Sequence, residues 1–350
     1  MSGMRSSNSR AWARCADCLP SICRKSGEPL KAMLLCAGLG TRLRPLTNVI
    51  PKPLVPAPDE PLAFHALRRL ARAGTSLCVI NLHHLPRAVK EAVGPRFEGM
   101  EIRYSEEPEI LGHAGGLRQA AELFGGDPFL VMNGDVYADI DCAAVMRFHR
   151  ERGARVTIVA KTDLPDSELN LLGFDERGAL LDIRGEPARP APAPRRGINI
   201  GVFAYDPAFL VEHVPNGRFS GFSEVLAPLL ARGDHGIFVY PWSGFWSDIG
   251  NERAYLDFLM RALDGRVPGL RGGHCVSATA DIAPDAAIAA PCRIAPGCVI
   301  GPRARVGPHA VLCRGARVGA GASAARCMIA PGASVPPNAG AADQIVCASG

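Results

Sequence analysis

The sequence predicts an α/β protein, a mixed and mainly parallel sheet flanked by helices, followed by a short parallel β-helix. Three observations predict it. Short apolar runs alternate with helical patterns from Leu30 to about Leu263. A glycine-rich segment, Gly38-Leu39-Gly40, follows the first apolar run directly. Beyond residue 275 an aliphatic side chain returns every six residues.

Residues 1–29 carry Ser, Arg and Cys without periodicity, and read as a disordered extension or a misassigned start, with translation beginning at Leu30 or Met33. The domain that follows, 30–265, should hold strands at 32–36, 77–81, 101–105, 129–133, 156–160 and 198–205. Helices are expected between them at 61–73, opened by a proline in the first turn, and at 114–124. The run 185–197 is dense in Pro and Arg and reads as a loop. Such a Rossmann-like sheet binds ligands at the carboxyl ends of its strands.

The third segment, 275–336, is of another kind. Val276, Ile282, Ile288, Ile294, Ile300, Val306, Leu312 and Val318 keep a strict six-residue spacing. Four residues after each stands a small side chain: Ala280, Ala286, Cys292, Cys298, Ala304, Ala310, Ala316, Ala322. One aliphatic residue per turn fills the bore of a parallel β-helix, and the small one fits its tight corner. The phase slips after Ala322, and Ile329, Ala333 and Val335 resume it. The pattern resembles the left-handed β-helix of hexapeptide-repeat proteins and amounts to about three coils.

Composition narrows the partners. The net charge is +5. Arg5, Arg10, Arg14, Arg24 and Lys25 in the first segment, against Asp17 and Glu28, account for much of it. The rest is near neutral, with neither the basic face nor the aromatic platform of a nucleic-acid binder. The twelve cysteines are scattered among apolar positions and read as free thiols in a reducing, cytoplasmic compartment. Cys15 and Cys18 form a C-x-x-C, but no fourth ligand follows at metal-site spacing. No apolar run approaches the roughly 20 residues that span a bilayer.

The chemistry is concentrated in Ala37-Gly38-Leu39-Gly40-Thr41-Arg42-Leu43-Arg44. Glycines let backbone N–H groups surround phosphate oxygens, and Arg42 and Arg44 add charge. The third glycine of a dinucleotide fingerprint is an arginine here. Joined to Pro51-Lys52-Pro53, the stretch resembles the signature of the sugar-1-phosphate nucleotidyltransferases, over about 30–263. Gly112-His113-Ala114-Gly115-Gly116, Asn133-Gly134-Asp135 and Trp246-Ser247-Asp248-Ile249-Gly250 each have a counterpart in that family.

The resemblance implies roles for single residues. Ala37, Gly38, Gly40 and Thr41 line the triphosphate, and Arg42 steadies its charge as pyrophosphate leaves; a guanidinium engages two phosphate oxygens at once. Lys52, stiffened by flanking prolines, contacts the attacking sugar phosphate and the α-phosphate. Asp135 is the main Mg²⁺ ligand and Asp248 the second, unless Asp248 caps the helix at Asn251. Asp139 and Asp141 read as helix caps instead. Gly112 and Gly115 lie against the nucleobase, and His113, where the family has threonine, is either polar surface or a base contact. Asn199 bonds sugar hydroxyls or satisfies backbone at a strand end, and Glu186 belongs to a Glu-Lys-Pro motif whose lysine is missing. Arg184, Arg195 or Arg196 could compensate, or the chain belongs to the branch without the motif.

A nucleotidyltransferase domain followed by a β-helix is most similar in layout to mannose-1-phosphate guanylyltransferases. Thymidylyl or uridylyl transfer to glucose 1-phosphate, and uridylyl transfer to N-acetylmuramate 1-phosphate, stay open. Two other classes compete. A β-helix acyltransferase has only His274 and His309 to draw on. A non-catalytic regulatory subunit would have lost one of Arg42, Lys52, Asp135 or Asp248, and all four are present. The β-helix is expected to build homo-oligomers by covering its terminal coil.

Overall fold

The structure, a computed structural model, describes residues 29–58, 60–163, 171–187, 192–233 and 236–348. Apart from Pro29 the expected N-terminal extension, with its Cys15 and Cys18, lies outside them. The chain divides into two compact units, one running to Leu39 and resuming over Ala63–Gly244, the other comprising Gly40–Leu62 and the chain from Phe245 onward.

The first unit is built on a sheet of nine principal strands: β1 (Leu30–Leu35), β2 (Thr75–Leu82), β3 (Met100–Glu106), β4 (Phe129–Asn133), β5 (Val156–Lys161), β6 (Leu171–Phe174), β7 (Leu180–Ile183), β8 (Arg195–Tyr205) and β9 (Ile237–Trp242). Arg96–Phe97 adds a short edge beside β3. β1 lies between β2 and β4, parallel to both, and β3 continues beyond β2. β8 runs antiparallel to β4, β5 antiparallel to β8, and β9 parallel to β5. The carboxyl ends of β1, β2, β3, β4, β5 and β9 therefore share one edge.

Both faces of this sheet are covered. Met33 and Leu34 point to opposite sides by the strand period of two, yet both are fully buried. On one side Met33, Val79, Val131, Ile158 and Phe203 pack with Leu117, Phe209 and Leu226. Those last three come from helices α3 (Gly112–Ala120), α5 (Pro207–His213) and α6 (Phe222–Ala231), which follow α1 (Leu62–Arg72), α2 (Pro86–Val93) and α4 (Cys142–Glu151) in this numbering. Each fully buried aliphatic or aromatic side chain contributes about 2 kcal/mol.

The expected helix at 114–124 begins two residues earlier and tightens into a 3-10 turn over Ala121–Phe124. The expected loop 185–197 is shorter than its composition suggested. Arg195, Arg196 and Gly197 are already in β8, paired with Phe174, Gly173 and Leu172. Before it, Ile183 and Glu186 exchange backbone hydrogen bonds across Arg184-Gly185, both at positive φ (57° and 83°). Residues 188–191 lie outside the described ones.

In the second unit, 3-10 turns at Thr41–Leu43, Leu46–Asn48 and Lys52–Leu54 carry the rest of the glycine-rich segment. Helix α7 (Glu252–Leu263) is opened by Asn251, whose Oδ1 accepts from Ala254 N. The β-helix then stacks strands into three parallel ladders, of five, four and four strands. It continues to Ile345–Val346, so there are about four coils, one more than the periodicity through 336 implied. Ile294, Ile300, Val306, Leu312, Val318, Ile329 and Val335 fill the bore at 3% exposure or less, and the corner residues Cys298, Ala304, Ala310, Ala316 and Ala322 are wholly buried. The phase slip has a simple cause. Ile282 pairs with Ile300, but Val318 with Val335, so the coil shortens from eighteen residues to seventeen. The missing residue is at the corner where Gly307-Pro308-His309 in one coil faces Ala325-Arg326 in the next.

Candidate functional site

In the first unit, β1 delivers Cys36, Ala37 and Gly38 to the shared edge. Beside it β4 delivers Asn133, Gly134 and Asp135. Leu35 is in register with Asn133, and Gly134 N donates to Leu35 O at 2.8 Å. Neighbouring parallel strands thus release the glycine-rich segment and Asp135 side by side. Burial, with Cys78 and the Asp135 carboxylate nearby, pushes the Cys36 thiol well above its ordinary range. Ala37 is buried, whereas Gly38 is exposed and a Cβ there would meet nothing within 4 Å. Packing does not require that glycine.

Gly112 and Gly115 have a different explanation. At Gly115 a Cβ would stand 2.5 Å from Arg218 O, and at Gly112, with φ 73°, 2.9 Å from both the Phe219 ring and Ser220 O. Ser220 O also accepts from Ala114 N (2.9 Å) and Gly115 N (3.3 Å), covering the start of α3. Both glycines are therefore required by the crossing of residues 218–220. His113 is not polar surface. It lies edge-on to Phe203 and Phe222, with Nε2 3.2 Å from Tyr205 Oη, and burial lowers its pKa to about 4. It is a neutral imidazole at pH 7.

Asn199 does satisfy backbone: its Oδ1 accepts from Gly201 N at 2.9 Å, at the irregularity where β8 loses register with β5. Gly201, at φ 76°, lets Asn133 approach, since a Cβ would stand 2.7 Å from Asn133 Nδ2. Asn133 Oδ1 is buried without a hydrogen-bond partner. Glu186 is exposed at its turn. Of the candidate cations, Arg196 pairs with the buried Asp182, Arg195 lies 5.3 Å over the Phe174 ring, and Arg184 is exposed. Asp139 pairs with Arg69 at 2.7 Å instead of capping, while Asp141 caps α4 through Ala144 N.

A buried network joins two of these segments. Cys36 N donates to Asn81 Oδ1 (2.7 Å), Asn81 Nδ2 to Glu107 Oε1 (2.7 Å), and Leu111 N to Glu107 Oε2 (3.0 Å). Sequence reasoning passed over both side chains. The available signal was Asn81, a single amide inside the apolar strand Leu77-Cys78-Val79-Ile80-Asn81-Leu82.

In the second unit, Gly40 sits at φ 63°, where a Cβ would be 2.9 Å from Thr47 Cγ2 and 3.3 Å from Lys52 Cβ. Thr47 Oγ1 donates to Gly40 O at 2.8 Å. Lys52 is 7% exposed, and Thr41, Arg42 and Arg44 are exposed. Asp248 is exposed and does not cap α7, a role Asn251 fills. The two β-helix histidines are engaged: His309 Nε2 is 2.7 Å from Asp264 Oδ1 and His274 Nδ1 is 3.3 Å from Cys292 Sγ. Among the described residues no three His, Cys, Asp or Glu side chains gather as a metal site, and no helix is long and apolar enough to cross a membrane.

Comparison with known proteins agrees on one family. The nucleotidyl transferase model matches residues 31–265. A UTP–glucose-1-phosphate uridylyltransferase of Synechocystis is 31% identical over 258 residues, 69% of this chain and 66% of that protein. A mannose-1-phosphate guanylyltransferase of Mycobacterium tuberculosis is 30% identical over 264 residues, 73% of this chain and 72% of that protein. The chain spans about two thirds of the length of the curated relatives it matches. A crystal structure of a Bacillus anthracis protein described as a glucose-1-phosphate thymidylyltransferase, in complex with sucrose, has the same fold. It superposes with a TM-score of 0.56 at 20% identity, over 65% of this chain and 93% of that one. Through residues 31–265, the chain belongs to the nucleotidyl transferase family.

Proposed function

We propose that the protein transfers a nucleotidyl group from a nucleoside triphosphate to a sugar 1-phosphate, releasing pyrophosphate. The observation that carries this reading is the edge where β1 and β4 release Gly38 and Asp135 side by side, with a glycine there that packing does not demand. An oxygen of the sugar phosphate attacks the α-phosphorus, the α–β phosphoanhydride bond breaks, and pyrophosphate carries away the electron pair. The attacking oxygen is already anionic, so alignment and charge neutralisation do the catalysis, without a general base or covalent intermediate.

Backbone N–H groups at Gly38 and Gly40 receive phosphate oxygens, with Ala37 and Thr41 flanking them, and Arg42 neutralises the departing pyrophosphate. Lys52 is assigned to the sugar phosphate and α-phosphate. With Asn199 Oδ1 holding Gly201, its Nδ2 is the atom assigned to a sugar hydroxyl, and Glu186 is assigned to the same substrate. A divalent cation, Mg²⁺ in this reading, fits the oxygen donors present: the Asp135 carboxylate and, two residues before it, a buried Asn133 Oδ1 lacking a partner. Asp135 and Asp248 would hold it. Bound there, it would offset charge on the phosphate oxygens.

The leading subtype is guanylyl transfer to mannose 1-phosphate, with thymidylyl or uridylyl transfer to glucose-type or N-acetylmuramate phosphates as the alternatives. A neutral His113 held among Phe203, Tyr205 and Phe222 means no imidazolium selects the base at pH 7. The nine described cysteines are free, in keeping with a reducing, cytoplasmic setting. The first coil of the β-helix leaves Val276 36% exposed, and a second subunit stacked on it would cover that side chain and the open ladder edges.

The test is a pyrophosphate-release panel of four nucleoside triphosphates against several sugar 1-phosphates, run on the wild type and on Asp135→Ala and Asp248→Ala. The expected outcome is one preferred pair, lost in both variants with the fold intact. Undiminished release in both variants would remove the metal assignment.

A further inference from the structure

The network through Asn81 and Glu107 has no part in the roles assigned above. Both side chains are 3% exposed. Cys36 N–H can only donate, so Asn81 must present its oxygen there and its Nδ2 to Glu107. The carboxylate thus receives one donor on each oxygen, from Asn81 and from Leu111 N. Its own backbone is held too, by Glu107 N donating to Leu82 O at 2.7 Å and by His83 Nδ1 lying 2.8 Å from Glu107 O. Helix α3 rests on the pair, for a Cβ at Gly116 would stand 2.6 Å from Glu107 Oε1 and 3.0 Å from Asn81 Nδ2. An apolar pair would pack this space without burying a carboxylate. What the polar pair adds is direction, linking the residue from which the glycine-rich run departs to the residue from which Gly112–Gly116 departs.

We propose that Asn81 and Glu107 are positioning residues for nucleoside triphosphate binding, fixing the phosphate-binding start of the glycine-rich segment relative to the first turn of α3. The proposal rests on the nucleotidyl-transfer reading, and the hydrogen-bond polarity of the pair allows a test separate from it. Glu107→Gln offers one acceptor where two donors need one each, and Asn81→Asp sets two carboxylates face to face. The double variant reverses the pair. Its carboxylate at position 81 accepts from Cys36 N and from the amide NH₂ at position 107, and the oxygen of that amide accepts from Leu111 N.

Nucleoside triphosphate binding by equilibrium dialysis, without sugar phosphate, is measured together with pyrophosphate release and KM for each substrate. Each single variant should weaken triphosphate binding about tenfold or more while leaving the sugar-phosphate KM unchanged, and the double should return to within about threefold of wild type. Where a single variant does not fold, Gly116→Ala, which presses one methyl on the same pair, takes its place with the same expectation. Folded variants that bind triphosphate as the wild type does, or a double no better than its weaker single, would overturn the proposal. A wild type that binds triphosphate but releases no pyrophosphate with any sugar 1-phosphate overturns the transfer reading alone, and the positioning pair is then judged on binding. A wild type that binds no triphosphate overturns both.

Discussion

Gly38 and Gly40 are two residues apart in one segment, and alanine at each should fail differently. At Gly40 the backbone is left-handed, φ 63°, and a methyl would press on Thr47 Cγ2 at 2.9 Å. A left-handed alanine costs about 1 kcal/mol or more and overpacking adds about as much again, so Gly40→Ala should lose roughly 2 kcal/mol. For a chain of 350 residues that lowers Tm by about 3 °C. At Gly38 the added methyl meets nothing within 4 Å, and φ lies outside the left-handed range. Gly38→Ala should be as stable as wild type, or more stable by about 0.5 kcal/mol through the unfolded chain. If phosphate oxygens approach this backbone, the methyl occupies their place. Loss of a single charge-assisted hydrogen bond, worth about 1.5 kcal/mol, raises KM for the triphosphate about tenfold. Thermal melts and initial-rate kinetics on both variants decide it. A Gly38→Ala protein with unchanged Tm and unchanged KM would refute the phosphate-cradle role.

Other perturbations read the remaining parts of the molecule. His113 and His149 both have pKa values lowered to about 4 by burial, so the unfolded chain takes up protons between about pH 6.5 and 4 that the folded chain refuses. Stability should be intact above pH 6.5 and fall as pH drops toward 4, by at most about 3 kcal/mol for each histidine. Urea midpoints at pH 7 and 4.5 should show His113→Phe losing about half of that decline; an unchanged decline would mean the buried imidazole is not its source. In the solenoid Ile300 is 1% exposed, and Ile300→Ala should cost about 2–5 kcal/mol in a guanidinium melt, against less than about 0.5 kcal/mol for the exposed Arg305→Ala. Equal effects at both positions would contradict the assignment of bore and surface.

The β-helix was the most legible part of the sequence because its physics is local. One side chain in six faces the bore, and the same side chain in every coil meets the same neighbours above and below. Even the phase slip after Ala322 recorded a real event, a corner one residue shorter at Ala325-Arg326. Strands β1 to β5 were legible as apolar runs, with ends within two residues of those expected, whereas β9, parallel to β5, was not singled out. The antiparallel strands β6 and β7 have four residues each, too few to establish a period, and proline-rich composition hid the start of β8, where pairing with β6 decides.

The candidate site divides in the same way. Glycine and arginine after β1, and an aspartate after β4, are readable because strand ends and residue types carry the argument. Gly112, Gly115 and His113 are not readable locally, since what constrains them arrives from residues 203–222. Asn81 and Glu107 join strands distant in sequence, and only the fold shows that their polar atoms face one another.

Direct transfer is tested by following phosphorus. With radiolabel on the α-phosphorus of the preferred triphosphate and its sugar 1-phosphate partner, the label should appear in the nucleotide-diphosphate sugar, and none should stay on the protein. The β- and γ-phosphorus should leave together as pyrophosphate. Label retained on the protein, or α-label released as free nucleoside monophosphate without a sugar product, would contradict the account.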